Sequence, residues 1–302
     1  MNRSFFRRAQ RGDGPAVGAV DYAGLSDIGQ QRSFNQDRWG VDPDRRLFVV
    51  ADGVASSSHG ELAAQTVVEL LPAYVARHLN SAELQDTSAP SRLGDAIAQL
   101  SDDLRVRGDG DPRFAGASTT VVTAVIAGSR MLVAHLGDSR AYLYRAQQLR
   151  CLTRDHSLLQ TLIDMQKVSA EDASVSPVRN VLTRHVGMAP PALPDVSAVE
   201  VQPGDRILLC SDGLVCVVND ESLTLILGAA RQPGTVCKAL IDAANGAGGP
   251  DNITALVIDV ASTNTNQSCR AAAGVVKSLT SQSRQRSCHR SNSTKTTAPK
   301  HH

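Results

Sequence analysis

Four aspartates in this sequence stand at the edges of apolar segments that are far apart in the chain. They are Asp52 after the run 47–51, Asp138 after 131–137, Asp212 after 206–211 and Asp251 ahead of 253–260. A short apolar run that stops at a polar residue or a glycine predicts a buried strand, so each acid is expected at a strand edge. Carboxylates are the donors that a hard divalent cation prefers. The pattern therefore predicts a cation site with oxygen ligands.

Two of these acids are followed by glycine, as Asp52-Gly53 and Asp212-Gly213. Because glycine has no Cβ, its backbone can approach a ligand closely, and the Gly53 carbonyl is itself a candidate ligand. An Asp-Gly pair is also common at plain turns, so neither pair is specific by itself.

The elements that would position the acids follow from the hydrophobic pattern. Apolar runs joined by short turns predict antiparallel strands, and apolar residues at helical spacing predict helices. The predicted strands are 16–26, 38–41, 47–51, 119–127, 131–136, 140–145, 148–152, 196–201, 206–210 and 252–260, and the predicted helices are 60–80, 92–106, 157–165, 219–227 and 233–244. The strands and helices do not alternate, which favours an α+β protein with a sheet sandwich inside and helices outside.

The chain divides into a folded body, 16–261, and two flanking segments. Residues 1–15 are predicted to be a flexible basic arm. After Ala261 the composition collapses to Ser, Thr, Asn, Gln and Lys/Arg, so 262–302 is predicted to be a disordered basic tail that cannot bury enough apolar surface to order itself. Within the body, the polar stretch 155–189 lies between two strand regions and is predicted to be a mobile flap.

Charge and composition exclude several classes of function. The net charge is +1, but residues 1–20 carry +3 and residues 262–302 carry +7, which leaves −9 on the body. An acidic body argues against nucleic-acid binding and suits a cluster of carboxylates. No apolar run is long enough to span a membrane and no signal peptide is visible, so no stable membrane association is expected. Six scattered cysteines without a C-x-x-C pair predict reduced thiols in a cytoplasmic protein.

Five motifs occur in the order and at the spacing of a known family. They are 27–37 (DIGQQRSFNQD), 50–54 (VADGV), 136–140 (LGDSR), 209–214 (LCSDGL) and 249–254 (GPDNIT). Together they resemble the metal-dependent protein phosphatases of the PP2C type (PPM), most of all the bacterial serine/threonine phosphatases. The resemblance covers nearly all of 16–261. It implies a four-layer α-β-β-α sandwich, two antiparallel sheets flanked by helices, with two or three divalent cations, Mn²⁺ or Mg²⁺, at one end.

The resemblance also implies roles for the acids. Asp52 would bridge two cations, the Gly53 carbonyl would complete one of them, and Asp212 and Asp251 would hold the other. Asp138 would help Asp212 to hold a third, weaker cation, although Gly137-Asp138-Ser139 also fits a plain Asx-turn.

Two further residues of the first motif receive roles from the resemblance. Asp37 would be a ligand or lie just behind the ligands. Arg32 would clamp the substrate phosphate, since a guanidinium offers bidentate contacts that an ammonium lacks. Arg32 could instead form a surface ion pair with Asp37.

The sequence departs from the family pattern at two places. Gln36 stands where the family often has Glu. Ser57 stands where it commonly has a histidine proposed as the general acid, and His59 lies two positions further on. The hypothesis is that His59, or a cation-ordered water, protonates the leaving oxygen. His156 is expected to be structural, capping the helix that follows it, and His135 to be packed in a strand.

The implied activity is hydrolysis of phosphoserine and phosphothreonine on proteins by a metal-bridged water, opposing a bacterial serine/threonine kinase, with the enzyme acting as a monomer. The alternative is a catalytically weak, phosphatase-like binding or regulatory module; retention of the acids speaks against it and the missing loop histidine for it. A phosphatase dedicated to one regulatory partner is a third possibility, but such proteins usually carry sensor domains, for which 1–15 and 262–302 leave no room.

Overall fold

The computed structural model describes residues 20–54, 59–168, 178, 180–229 and 232–261. The predicted arm, 1–15, and the predicted tail, 262–302, lie outside these residues. Within the described ranges no helix combines the length and the apolar character needed to cross a bilayer.

The strands of the folded body confirm the pattern predicted from the sequence. They are β1 (Val20–Asp27), β2 (Arg38–Asp42), β3 (Leu47–Ala51), β4 (Val121–Ala127), β5 (Arg130–Leu136), β6 (Arg140–Arg145), β7 (Gln148–Cys151), β8 (Asp195–Glu200), β9 (Arg206–Cys210) and β10 (Ile253–Val260). The α-helices are α1 (Gly60–His78), α2 (Ala89–Gly110), α3 (Leu158–Asp164), α4 (Asp212–Val215), α5 (Asp220–Ala229) and α6 (Pro233–Gly246).

Two helices differ from the prediction by more than a one-residue shift of their start. Helix α2 begins at Ala89 rather than at residue 92, because Pro90 occupies the first turn, where a missing N–H costs nothing. Helix α4 was not predicted; its four residues are too short for a helical period, and it begins at Asp212 itself.

The strands form two five-stranded sheets in which every neighbouring pair is antiparallel. One sheet has the order β1-β10-β9-β6-β7 and the other β2-β3-β4-β5-β8. Helices α1 and α2 cover the outer face of the second sheet, and α4 and α6 pack against β10 of the first. The predicted four-layer sandwich is confirmed.

Strand β3 shows why the central strands read as unbroken apolar runs. Leu47, Val49 and Ala51 belong to the core beneath α1 and α2, while Phe48 and Val50 belong to the core between the two sheets. All five residues are buried. A strand buried on both faces has no polar side to alternate with, so its acid appears only where the strand ends.

Candidate functional site

The four aspartates meet at one end of the sandwich. Asp52 follows β3 and Asp138 lies in the β5–β6 turn, whereas Asp212 opens α4 just after β9 and Asp251 comes before β10. Both sheets therefore contribute. The four side chains line one cavity of about 250 Å³, named here the acid cavity, together with Arg32, Gln36, Gly53, Val54, Thr120, Asn180, Leu182 and Asn252.

Gly213 is the residue that lets two of these loops touch. A Cβ at this position would lie 1.9 Å from the backbone oxygen of Asn252. Only glycine fits, and the contact brings the start of α4 against the loop that carries Asp251.

The acids perturb one another strongly. Burial raises the pKa of Asp52 well above its usual range, and the charges of Asp37 and Asp212 raise it further. Burial, then the charge of Asp212, raises the pKa of Asp138 in the same way. Among the described residues that line the acid cavity, Arg32 is the one with a positive charge. The carboxylates thus form an under-compensated anionic cluster, which bound divalent cations would neutralise.

Asp37 sits behind this cluster. Its Oδ2 accepts hydrogen bonds from the hydroxyls of Ser211 (2.7 Å) and Thr254 (2.8 Å), and burial raises its pKa to about 6. Its Oδ1 is buried and has no hydrogen-bond partner among the described residues. An orphaned carboxylate oxygen beside Asp52 and Asp212 suits a nearby cation, so the donor set fits hard divalent metals.

Arg32 does not pair with Asp37. Its Nη2 donates instead to Oδ2 of Asp251 at 2.7 Å, which places the guanidinium at the rim of the acid cavity. The other guanidinium nitrogens make no hydrogen bond to residues that the structure describes, and the side chain is 36% exposed. This arginine is thus available to an anionic ligand.

His59 is not brought to the acids. It immediately precedes α1 and lines a neighbouring cavity with Phe34, Gln36 and Arg38, and its Nδ1 lies 3.4 Å from the Ala115 carbonyl. The role of His59 as a general acid therefore stays a prediction.

Asn252 is a site residue that sequence reasoning missed. Its amide nitrogen donates to the carbonyls of Ile28 (2.9 Å) and Phe34 (3.0 Å), and its Oδ1 accepts from the Gln36 N–H (2.9 Å). Asn252 therefore pins both ends of the loop that presents Arg32. The position of Asn252 next to a candidate ligand could have drawn attention to it. Its hydrogen-bond partners, however, lie more than two hundred positions away in the chain.

A second cluster of possible ligands, His135, His156 and Asp195, is poorly arranged for a cation. An amide can only donate, so the Gly137 N–H, 3.2 Å from Nδ1 of His156, leaves the ring proton on Nε2. The two rings stack with an interplanar angle of 27°, so their lone pairs do not converge. Arg184 also holds Asp195 at 2.8 Å and would repel a cation.

Comparison with known proteins gives consistent results. A sequence model of the family described as protein phosphatase 2C matches residues 24–240. The chain is 33% identical to the serine/threonine phosphatase stp of Listeria monocytogenes over 237 residues, 78% of this chain and 93% of that protein. It is 34% identical to the serine/threonine protein phosphatase PstP of Mycobacterium tuberculosis over 257 residues, 84% of this chain but 48% of PstP.

Solved structures agree. The fold is similar to the crystal structure of the Mycobacterium tuberculosis phosphatase PstP/Ppp, with a TM-score of 0.70 and 32% identity over 80% of this chain and 99% of that one. The catalytic domain of PstP in complex with two manganese ions gives a TM-score of 0.69 and 31% identity, again over 80% and 99%.

Proposed function

Because this chain belongs to the protein phosphatase 2C family and is a bacterial-type, metal-dependent serine/threonine protein phosphatase, we propose that it dephosphorylates phosphoproteins at the acid cavity. The observation that carries the proposal is the convergence of Asp52, Asp138, Asp212 and Asp251 from separate loops beside Arg32. This arrangement offers carboxylate ligands for divalent metal ions and a guanidinium for the substrate phosphate. Phosphoester hydrolysis of this kind requires both.

The proposed ligands would hold metal ions at two main positions and at a weaker third position. Asp52 and the Gly53 carbonyl would serve one cation, with Asp52 shared by a second cation that Asp212 and Asp251 hold; Asp138 would complete a weaker third position with Asp212. Bound Mn²⁺ or Mg²⁺ would supply a water of lowered pKa and offset the charge of the phosphoryl oxygens. The number of cations and the choice of Mn²⁺ or Mg²⁺ are part of the proposal.

Arg32 would bind the substrate phosphate through its free guanidinium nitrogens. Its bond to Asp251 orients the side chain from one edge, so that less conformational freedom is lost when the phosphate arrives. Because Asp251 is also a proposed cation ligand, the phosphate clamp and the cation site share one carboxylate.

The substrate is proposed to be a phosphorylated Ser or Thr side chain on a protein. The names of the relatives support this class, and two residues of the predicted flap, Asn180 and Leu182, line the acid cavity, where they would contact the substrate. A serine/threonine kinase would be the opposing enzyme, since its product is the phosphoester that this site cleaves.

The test is phosphate release from phosphoserine, phosphothreonine and phosphotyrosine peptides with Mn²⁺, Mg²⁺ or EDTA. We expect turnover of the first two peptides only with a divalent cation, and a loss of at least about a hundredfold in Asp212→Asn. Asp242→Asn is the matched control, because Asp242 is an exposed acid on α6 that pairs with Lys238.

Each outcome decides between the two candidate functions. Turnover that persists in EDTA, or in Asp212→Asn, would overturn the cation-dependent hydrolase. Cation binding and phosphopeptide binding without turnover would instead support a phosphatase-like binding module.

A further inference from the structure

His156 forms two hydrogen bonds with the turn that carries Asp138. The backbone N–H of His156 donates to the Gly137 carbonyl at 3.0 Å, and the Gly137 N–H donates back to Nδ1 of the His156 ring at 3.2 Å. The ring is almost completely buried. Two reciprocal hydrogen bonds therefore hold both peptide groups of Gly137, the second of which leads into Asp138.

The backbone of this turn, residues 137–139, has little conformational freedom. Gly137 has a φ of +123°, and a Cβ there would lie 2.6 Å from the side chain of Thr120. The Thr120 hydroxyl lies 2.7 Å from the Ser139 hydroxyl and also accepts the Asp52 backbone N–H at 3.1 Å. Hydrogen bonds thus hold the 137–139 turn at both ends, from Gly137 to His156 and from Ser139 through Thr120 to the backbone of Asp52.

We propose that His156 is a positioning residue for the proposed third cation: its imidazole holds the 137–138 turn so that Asp138 faces Asp212 across the acid cavity. The inference rests on the proposed function, and it gives His156 a role in cation affinity rather than in contact with the substrate. Removing the Nδ1 acceptor would leave a buried N–H unpaired and free the turn to rotate.

The expected role of His156 as a helix cap is not what the structure shows. The cap of α3 is the Ser157 side chain, which accepts from the Gln160 N–H at 3.1 Å. The imidazole is therefore not needed to start the helix, and its hydrogen bond with the Gly137 N–H needs another explanation.

The surroundings of the ring keep Nδ1 available as an acceptor. The Gly137 N–H occupies Nδ1 and so places the ring proton on Nε2; Oδ2 of Asp195 lies 3.2 Å from Nε2 without hydrogen-bond geometry, and His135 stacks on the ring with centroids 4.4 Å apart. Burial, then the neighbouring His135 and Arg184, lowers the pKa of His156 to about 4, so the ring is neutral at neutral pH.

The same residue connects the turn to the predicted flap. The backbone carbonyl of His156 accepts from the Thr183 N–H at 2.8 Å, and Leu158 donates to the Val181 carbonyl at 2.7 Å. These hydrogen bonds join residues 156–158, near the start of the predicted flap, to residues 181–183, near its end, and they lie next to Gly137. A change in the flap could therefore alter the position of Asp138.

The test compares His156→Leu, which keeps bulk but removes the acceptor, with His156→Asn, whose amide oxygen can take the place of Nδ1. His78→Leu is the control, since this exposed histidine on α1 bonds to Gln99 away from the cavity. Mn²⁺ affinity is measured by calorimetry on metal-free protein, and the Mn²⁺ concentration for half-maximal hydrolysis of para-nitrophenyl phosphate is measured in parallel.

We expect His156→Leu to weaken the weakest Mn²⁺ position by about tenfold, with the KM for the aryl phosphate nearly unchanged. His156→Asn should recover most of the affinity. Equal Mn²⁺ affinities in wild type and both variants would overturn the inference. Failure of the wild type to turn over would overturn the proposed function instead, and the calorimetry would still decide the role of His156.

Folding is checked by circular dichroism and by the melting temperature without metal. If His156→Leu does not fold, Asp195→Ala takes its place, because Asp195 is half-exposed and its carboxylate lies beside Nε2 rather than Nδ1 of the ring. A shift of about threefold in the same direction is expected. An unchanged Mn²⁺ affinity in this variant would count against the proposal.

Discussion

Arg32 and Asp251 stand 219 positions apart in the chain, yet Nη2 of the arginine lies 2.7 Å from Oδ2 of the aspartate. The contact joins the proposed phosphate clamp to a proposed cation ligand. With side chains 36% and 26% exposed, the pair adds little to stability, so its value lies in orientation.

Replacing Arg32 should separate substrate binding from folding. In Arg32→Ala we expect kcat/KM for para-nitrophenyl phosphate to fall by about 10- to 100-fold, because a charge-assisted bidentate contact to phosphate is lost, and Arg32→Lys should recover only part of it. Steady-state kinetics measure the effect. Arg45→Ala, which breaks an exposed pair with Asp42, is the control. Kinetics of Arg32→Ala within twofold of wild type would contradict the clamp.

Asp52→Asn should have opposite effects on stability with and without metal. In EDTA the variant should be at least as stable as wild type, because burial, and then the neighbouring like charges, raise the pKa of Asp52, and an uncharged amide does not incur these costs. With Mn²⁺ the wild type should gain about 2.7 kcal/mol at a concentration of 100 times Kd, and the variant less. Melting curves in both buffers test this. A similar metal-induced shift in both proteins would rule out Asp52 as a ligand.

His59→Ala tests the identity of the general acid. Since the ring lines a different cavity from the acids, we expect the pH–rate profiles for an aryl and an alkyl phosphate to keep their shape in this variant. The alkyl ester is the sensitive substrate, because its poor leaving group needs the proton most. Loss of the acidic limb with the alkyl ester alone would instead make His59 the proton donor.

Asn252→Ala should weaken both folding and substrate binding. Three hydrogen bonds to the loop of Arg32 are lost, which should cost about 3 kcal/mol of unfolding free energy and raise the KM for the aryl phosphate. The matched control is Asn219→Ala, which removes an exposed cap from α5, costs about 1 kcal/mol and leaves KM alone. A KM unchanged in Asn252→Ala would show that the loop holds Arg32 without this residue.

The buried His156 predicts a loss of stability at acid pH. Its folded pKa of about 4 lies below the ordinary value of 6.5, so between these pH values the unfolded chain binds a proton that the folded protein refuses. The contribution of His156 to stability should therefore fall as the pH drops, by about 2 kcal/mol at pH 5, whereas Asp37, whose pKa burial raises to about 6, acts in the opposite direction in wild type and variant alike.

Urea unfolding at pH 7 and at pH 5 measures the loss, and His156→Asn should show a correspondingly smaller one. His135, whose pKa burial also lowers, acts in the same direction and remains in both proteins. Asp195, whose pKa the Arg184 hydrogen bond lowers to about 2, contributes stability that is lost only between about pH 4 and 2. Equal losses in both proteins would show that His156 is not responsible.

The local hydrophobic pattern was sufficient to predict the strands, most of the helices and the candidate metal ligands. Strand β3 and its Asp52 were recognisable because a doubly buried strand must be apolar along its whole length, and the acid can appear only at its end. The five ordered motifs were likewise sufficient for the family, which the comparisons confirm.

Contacts between side chains that are distant in the chain could not be predicted from the sequence. Asp37 was a possible partner for Arg32, but the arginine donates to Asp251 instead. His156 was expected to cap a helix, but its ring accepts a hydrogen bond from the Gly137 N–H. In both cases a polar side chain has many possible partners of equal chemistry, and only the folded chain selects one.

The amino-acid sequence by itself determined which segments are strands, which acids stand at their ends and which family they belong to, because burial imposes a local periodicity on residue types. The tertiary structure decided that β1 pairs with β10, that Asn252 pins the loop of Arg32 and that the acids raise one another's pKa. These properties depend on distances through space, and loop closure over two hundred residues leaves no local trace in the sequence.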